Sequence, residues 1–592
     1  MKNKEIRAEI YDKFEEAVKK TFKVEEVTEC PVSFPPDVEL GDFAIACFPL
    51  AKQLHTSPQK IAEELASYLE KNKGDLIKKA TSLNGYLNIK MPEAKMFQEV
   101  CSQALDQDKK FGFTFDREGE KVMVEYLSPN TNKPLHIGHL RNGSLGMAIS
   151  NLLSATGQDV VKANLVNDRR VHICKSMLAW QKWGEGKTPE SEKMKGDHFV
   201  GDWYVRFSQE AEKNPGLKDE AQELLKKWEE GDPETVELWQ KMNNWVYEGF
   251  AKTYKDFGME FDVFLYESET YKLGKDIIKQ GLKDGVFYKD QKGNTVFELP
   301  PDKFGKEKDG ETKKVTVLRP DGTSLYITQD IATAILKFEK YGLNRSIYVV
   351  GSEQEHHFKC LFEMLKALGY EWAEECYHLS YGMVYLPEGK MKSREGKVVD
   401  ADDLISEVYN LAYREIYKRE GEKISREELK ERSFKIAMGA VKFYLLSVKP
   451  AQDINFNPEE SISFDGVTGP YCQYAYARIN SIIKKAEKEM GKIDFSKADF
   501  SLLGNKEELI LIHSLMDFSR EVRSAVNELN PSRLTTYVYY LAKFFHQFYN
   551  KHKVVNKEEE VLSQTRLVLT YSVLIAIRNG LNLLNIEVLE KM

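Results

Sequence analysis

The apolar positions of this chain follow two rhythms, and the changes between them mark the elements. Val122 to Leu127 is a short apolar run of the kind that forms a buried strand, and Leu140 to Leu153 carries helical spacing. Val160 to Val166 and Ser346 to Val350 are apolar and β-branched, as central parallel strands are. Strand and helix alternate in this way over 111–450, with polar, Trp- and Glu-rich inserted helices over about 180–250. Leu318 to Tyr326 reads as a hairpin turning at Pro320-Asp321-Gly322.

The ends of the chain differ from its middle. Over 1–110 helical and extended patterns mix: Gly41-Asp42-Phe43-Ala44 is expected to open a helix, and Asn84-Gly85 to turn into a strand at Tyr86. Lys109-Lys110 is expected to begin a linker. Over 451–592 the pattern is helical, with helices starting at Gly469, covering Tyr537 to Tyr549, and running from Arg566 to a stop at Asn579-Gly580. The expected architecture is an α/β Rossmann-like parallel-sheet domain with helical insertions, an N-terminal α+β domain and a C-terminal all-α bundle.

Between the strand ending at Leu127 and the helix beginning near Leu140 stands Ser128-Pro-Asn-Thr-Asn-Lys133-Pro-Leu-His136-Ile-Gly138-His139-Leu-Arg. A helix N-terminus just past a strand offers free N–H groups and a favourable dipole to a phosphate. Two imidazoles three residues apart share one side of the first turn and can donate to that phosphate. Gly138 is expected to let a ligand lie against the backbone. By itself, His-x-Gly-His also fits a surface or metal-ligating pair; its flanks carry the argument further.

Length and composition bound the partners. A chain of 592 residues is long enough for about three to five domains. Its 42% hydrophobic and 30% charged residues are those of a soluble globular protein. No apolar run was expected to approach the roughly 20 residues of a membrane span, and the N-terminus has no signal-peptide core. Seven scattered cysteines without Cys-x-x-Cys argue for a reducing cytoplasm. The net charge of -8 means that a polyanion would need local basic surfaces: Arg169-Arg170, Lys484-Lys485 or Lys551-His552-Lys553, each of which fits a solvated helix face equally well.

The Ser128 to Arg141 element resembles the HIGH element of class I aminoacyl-tRNA synthetases, and among them arginyl-tRNA synthetases. The resemblance recurs in the Gly-Asp-Phe and Gly-Tyr-Leu-Asn-Ile segments near the N-terminus and in the final Leu-Asn-Leu-Leu-Asn-Ile-Glu-Val-Leu ending. It implies ATP-dependent activation of L-arginine and transfer to tRNA(Arg), at the 2′-hydroxyl and with tRNA needed for activation. It also implies magnesium carried with ATP, no structural zinc, and a monomer. The ATP site would comprise Pro129, His136, Gly138 and His139, with Lys133 assisting. A basic loop completes it: Lys390, Met391, Lys392, Ser393 and Arg394. That loop departs from Lys-Met-Ser-Lys-Ser, with Lys392 and Ser393 in exchanged order, and Lys133 is expected to compensate.

For the amino acid, the resemblance implies Glu125, Ser128, Asn130, Tyr326, Asp330 and Gln354, with Asp330 on the guanidinium. A planar five-donor cation needs carboxylates and carbonyl-type acceptors at fixed angles. Tyr326 and Asp330 are four apart, on one side of a helix start. The alternative for Asp330 is a carboxylate stabilising the helix dipole. His356-His357 read as helix-start or near-nucleotide residues, not as metal ligands. Tyr86 and Asn88 fall where the family contacts the tRNA elbow, and Tyr474 and Arg478 are candidate tRNA contacts in the bundle; a half-buried tyrosine and a core stripe are the plainer readings. Two other functions fit parts of the pattern: a small-molecule nucleotidyltransferase, and a catalytically silent tRNA-binding paralogue.

Overall fold

The computed structural model describes residues 6–35, 39–271, 274–387, 399–491 and 493–592. At its centre lies a parallel five-stranded sheet: β1 (Lys121–Glu125), β2 (Asp159–Val166), β3 (Val263–Tyr266), β4 (Arg345–Gly351) and β5 (Cys376–Tyr381), in the order β5-β4-β1-β2-β3. The order reverses between β1 and β4, which opens a crevice at their carboxyl ends, the usual ligand position in such sheets. Helix α1 (Ile137–Ala155) starts at this crevice.

Side-chain alternation along β1 divides its two faces. Val122 and Val124 join the core shared with α1, while Met123 joins a second core under α2 (Tyr326–Tyr341) and α3 (Glu355–Ala367). Glu125 continues the Met123 face and so points towards α2. Helix α1 is buried almost all round, as a helix apolar on every side must be. Gly146 lets it close on the strand: a Cβ there would stand 2.2 Å from the Tyr126 ring.

Five helices from Val171 to Phe257 form the insertion between β2 and β3. The N-terminal unit is an antiparallel sheet with Tyr86–Lys90 between Phe43–Ala46 and Lys79–Leu83. Here the helix expected at Gly41 is replaced by the strand Phe43–Ala46: Asp42 accepts from the Met91 N–H at 2.7 Å and ties the segment to the sheet. The expected linker is docked as well, since Asn579 donates to the Asp108 and Phe111 carbonyls. Asn579-Gly580 does not stop its helix, which runs Glu560–Leu583; Gly580 instead lets it approach Val538, whose Cγ2 a Cβ would meet at 2.4 Å. The hairpin expected after Leu318 makes its turn but continues into α2 instead of a second strand.

The C-terminal unit packs Gly469–Met490, Lys506–Asn527, Ser532–Lys551 and Glu560–Leu583, and Arg426–Leu446 of the preceding unit lies against Gly469–Met490. By length and composition the last helix is apolar enough to cross a membrane, contrary to the expectation from the sequence, but 78% of its most apolar window is buried inside the protein.

Candidate active site

The chain reaches the mouth of α1 through a strained turn. Leu127 and Ser128 are consecutive non-glycine residues at φ 80° and 49°, a conformation that costs about 1–3 kcal/mol each and persists only where neighbours impose it. They do: the Leu127 N–H donates to Asn142 Oδ1 at 2.6 Å, and Asn167 Nδ2 donates to the Ser128 carbonyl at 3.0 Å. Pro129 is buried and offers its carbonyl to the Asn167 N–H at 3.0 Å, so its contribution to a nucleotide site is to the backbone path.

His136 caps α1. Its Nδ1 accepts from the Gly138 N–H at 3.1 Å, and its own N–H donates to His139 Nδ1 at 3.1 Å. With both Nδ1 atoms accepting, each neutral ring carries its proton on Nε2. Burial, then the charge of Lys133, pushes the His136 imidazolium down to about 4; burial and both neighbours hold His139 well below the usual range. The ring centroids are 3.8 Å apart. Two neutral, oriented Nε2–H donors are the result. Gly138 also leaves room for these rings, since a Cβ there would meet His136 Cε1 at 2.9 Å.

Arg141, which the sequence reading left without a role, is fully buried. Its Nη1 donates to the Gly382 carbonyl at 2.6 Å and its Nη2 to those of Pro450 and Gln452 at 2.9 and 2.6 Å. It locks α1 to the two chain segments that run beside it. The Ile137 N–H donates to the Val399 carbonyl, and the Ala401 N–H to that of Leu135, both at 3.0 Å. The basic loop expected at Lys390, Met391, Lys392, Ser393 and Arg394 lies outside the described residues.

A cavity of about 380 Å³ opens beside this turn, lined by Glu125, Ser128, Tyr326, Asp330 and Gln354. Asn130 is absent from its lining and is bridged to Asn167 at the rim. The structure adds residues that sequence spacing did not expose: Asn167, Arg170, Lys337 and His357. Lys337 donates to Glu125 Oε2 at 2.7 Å, both side chains at most 5% exposed, and stands 4.1 Å from the Tyr348 ring centroid. Burial opposes the charge on Lys337, but Glu125 prevails and raises its pKa. Arg170 grips Glu267 through Nε at 2.7 and 2.8 Å and stacks 3.7 Å from the Tyr326 ring centroid. His357 stands at a helix start, as expected, in the first turn of α3, and its Nε2 lies 2.6 Å from Asp330 Oδ2 in the lining of this cavity.

Asp197, His198 and Asp402 bring three potential ligand atoms within 4.8 Å. The Lys195 ammonium already joins them, 3.1 Å from Asp197 Oδ2 and 2.6 Å from Asp402 Oδ2. Against the cost of burial, the Asp402 hydrogen bond holds the His198 pKa above its ordinary value. The cluster fastens the inserted helices to the N-terminus of the helix Ala401–Glu420.

Three sequence profiles match the chain: "tRNA synthetases class I (R), catalytic domain" over 100–458, "DALR anticodon binding domain" over 472–592, and "Arginyl tRNA synthetase N terminal domain" over 8–91. The chain is 46% identical to the arginine–tRNA ligase of Treponema denticola over 568 residues, covering 95% of this chain and 94% of that one. It belongs to the arginyl-tRNA synthetase family. The arginine–tRNA ligase of Borrelia hermsii is 41% identical over 577 residues, 97% of each chain. Among solved structures, the Thermus thermophilus arginyl-tRNA synthetase aligns over 99% of this chain and 100% of its own, with TM-score 0.79 and 26% identity.

The residues that family resemblance marked for tRNA divide in the structure. Tyr86 is exposed, edge-on to the exposed Phe48 at 5.3 Å, whereas Asn88, 4% exposed in the middle strand of its sheet, is buried. Tyr474 is half-buried, and Arg478, one turn on, lies 4.7 Å from the Tyr549 ring centroid. The candidate basic surfaces are largely engaged: Arg169 with Glu229 and the Tyr271 ring, Lys484 with Glu590, Lys551 and His552 with Glu507.

Proposed function

We propose that the chain is an arginine–tRNA ligase. It joins L-arginine to ATP as arginyl-adenylate and passes the arginyl group to the 3′-terminal adenosine of tRNA(Arg). The observation that carries this reading is the convergence of Glu125, Ser128, Tyr326, Asp330 and Gln354 on one cavity beside the α1 mouth. Asp330 faces the guanidinium as a charge-assisted acceptor, with Tyr326 beside it. Glu125, with Asn130 from the rim, holds the α-amino and carboxylate end or flanks the side chain, and Ser128 and Gln354 complete the lining.

In the first step the substrate carboxylate attacks the α-phosphorus in line, and pyrophosphate departs. The Nε2–H groups of His136 and His139 donate to oxygens that gain charge in that transition state; preorganised donors of this kind are usually the largest contribution to rate. Lys133 and the loop from Lys390 to Arg394 oppose the charge on the leaving pyrophosphate. Magnesium travels on the triphosphate, because the residues at this end are imidazole and ammonium donors suited to phosphate oxygen. In the second step a ribose hydroxyl of the tRNA displaces AMP. The units 1–110, 111–450 and 451–592 serve the tRNA elbow, catalysis and the anticodon, with Tyr86 and Arg478 as surface contacts. A monomer in the cytoplasm fits the seven buried free cysteines.

The test is charging of a total tRNA pool with labelled amino acids offered one at a time. Arginine alone should be incorporated, and only with ATP. Incorporation of another amino acid overturns the specificity, and adenylate transfer without tRNA charging would favour a nucleotidyltransferase.

A further inference from the structure

The carboxylate assigned to the guanidinium is already held before any substrate arrives. Asp330 sits in the second turn of α2, on the stripe that also carries Tyr326, Thr333 and Lys337 to the cavity. His357 stands in the first turn of α3 and brings Nε2 to 2.6 Å from Asp330 Oδ2. Both side chains are partly covered, at 27% and 33% exposure, and both line the cavity. Its neighbour Phe358 seats that first turn, lying against His378 with centroids 4.5 Å apart and against Tyr348 at 5.1 Å.

We infer that His357 is a positioning residue for arginine recognition: its Nε2–H fixes one oxygen of Asp330 so that the carboxylate plane stays presented to the guanidinium. The inference rests on the arginine reading of the cavity. The torsion that turns a carboxylate is broad and roughly two-fold, so Asp330 alone would sample many orientations. A guanidinium fork needs a coplanar carboxylate to make two parallel bonds. An ionised carboxylate has about four acceptor sites, and a single imidazole donor leaves enough of them for the fork. The arrangement parallels outer-shell groups that orient metal ligands, whose loss costs about 10–100-fold in affinity.

The test is steady-state aminoacylation with total tRNA, ATP and L-arginine as the varied substrate. His357→Leu, which removes the donor, should raise the KM for arginine about 10–100-fold, while kcat and the KM for ATP stay within about threefold. His357→Gln, which keeps an N–H within reach of Asp330, should recover most of the arginine KM. An unchanged arginine KM in His357→Leu overturns the inference. So does a fall in kcat alone, or a His357→Gln variant as impaired as His357→Leu, because a purely structural tie between α2 and α3 would behave in that way. If His357→Leu does not fold, His357→Gln and His357→Asn decide: the inference needs an arginine KM near wild type in at least one of them. Asp330→Ala separates this inference from the reading beneath it. An Asp330→Ala enzyme with normal arginine turnover overturns the pocket assignment itself; an inactive Asp330→Ala beside a normal His357→Leu overturns only the role of His357.

Discussion

The two ends of the crevice meet opposite charges with opposite constructions. At the α1 mouth, the groups we propose for phosphate are neutral: His136 and His139 have imidazolium pKa values pushed far down by burial, and backbone contacts set which nitrogen carries the proton. In and beside the neighbouring cavity the carboxylates are paired in advance: Glu125 with Lys337, Glu267 with Arg170, Asp330 with His357. The difference follows from what each ligand brings. ATP arrives with magnesium and needs oriented donors at the reacting phosphate more than added charge. Arginine arrives as a fixed fork of five donors, and acceptors must wait at set angles. A carboxylate as buried as Glu125 is costly to keep ionised unless it has a partner of its own.

The sharpest way to break this comparison is Asp330→Ala. A site built to hydrogen-bond a polar group discriminates by about 10⁴–10⁵ against a mismatch, and removing its central carboxylate should cost arginine activation on that scale. Pyrophosphate exchange in the presence of tRNA reads the loss. The dependence on ATP should be preserved in whatever activity remains, since the two ends are built separately. Near-normal exchange in this variant would mean that the cavity does not select arginine.

The next effect is on stability and probes the pairing itself. Lys337→Met leaves Glu125 buried without its cation, which typically costs 3–5 kcal/mol, while exchanging both partners for neutral groups is often nearly free. Urea unfolding of Lys337→Met and of Glu125→Gln/Lys337→Met should therefore show the double variant to be the more stable of the two. If the single variant is no less stable, Glu125 does not carry a charge that Lys337 holds, and the description of the cavity as pre-paired fails.

The sequence made the scaffold of the crevice legible because that scaffold is local. The strand before Ser128, the helix after His136, and the Tyr326/Asp330 spacing all follow from periodicity within a few residues. The partners that hold those residues were not legible, because they come from elsewhere in the chain: Lys337 reaches Glu125 over 212 residues, and Arg141 reaches Gln452 over 311. Their only sequence signals are a lysine and an arginine at positions that the helices bury. Gly138 shows the same limit. Spacing shows that a small residue is wanted there but not that the His136 ring takes up the room. Asn88 was misplaced because a sequence resemblance marks a position on a strand without saying which side chains its sheet covers. The strand at Phe43 has no local signature, because its pairing partner, Tyr86–Lys90, lies more than forty residues on.

The smallest of the three effects concerns charge at the phosphate end, where the comparison is least symmetrical. Lys133 is exposed, and its charge helps to depress both imidazoles, so an ammonium stands beside an otherwise neutral donor set. With Lys392 and Ser393 exchanged relative to the family loop, we propose that Lys133 helps to meet the departing pyrophosphate. Loss of one preorganised donor to transition-state charge typically costs about 10²–10³ in rate. Lys133→Ala should lose about that much in kcat for adenylate formation. Lys121→Ala is the control: Lys121 opens β1 at the far, amino-terminal edge of the sheet, where it pairs with Asp159 at 3.4 Å. Its removal should change activity little, since exposed pairs contribute about 0–1 kcal/mol. Equal activities in the two variants would show that Lys133 compensates for nothing, and that the neutral imidazoles and the loop suffice at this end.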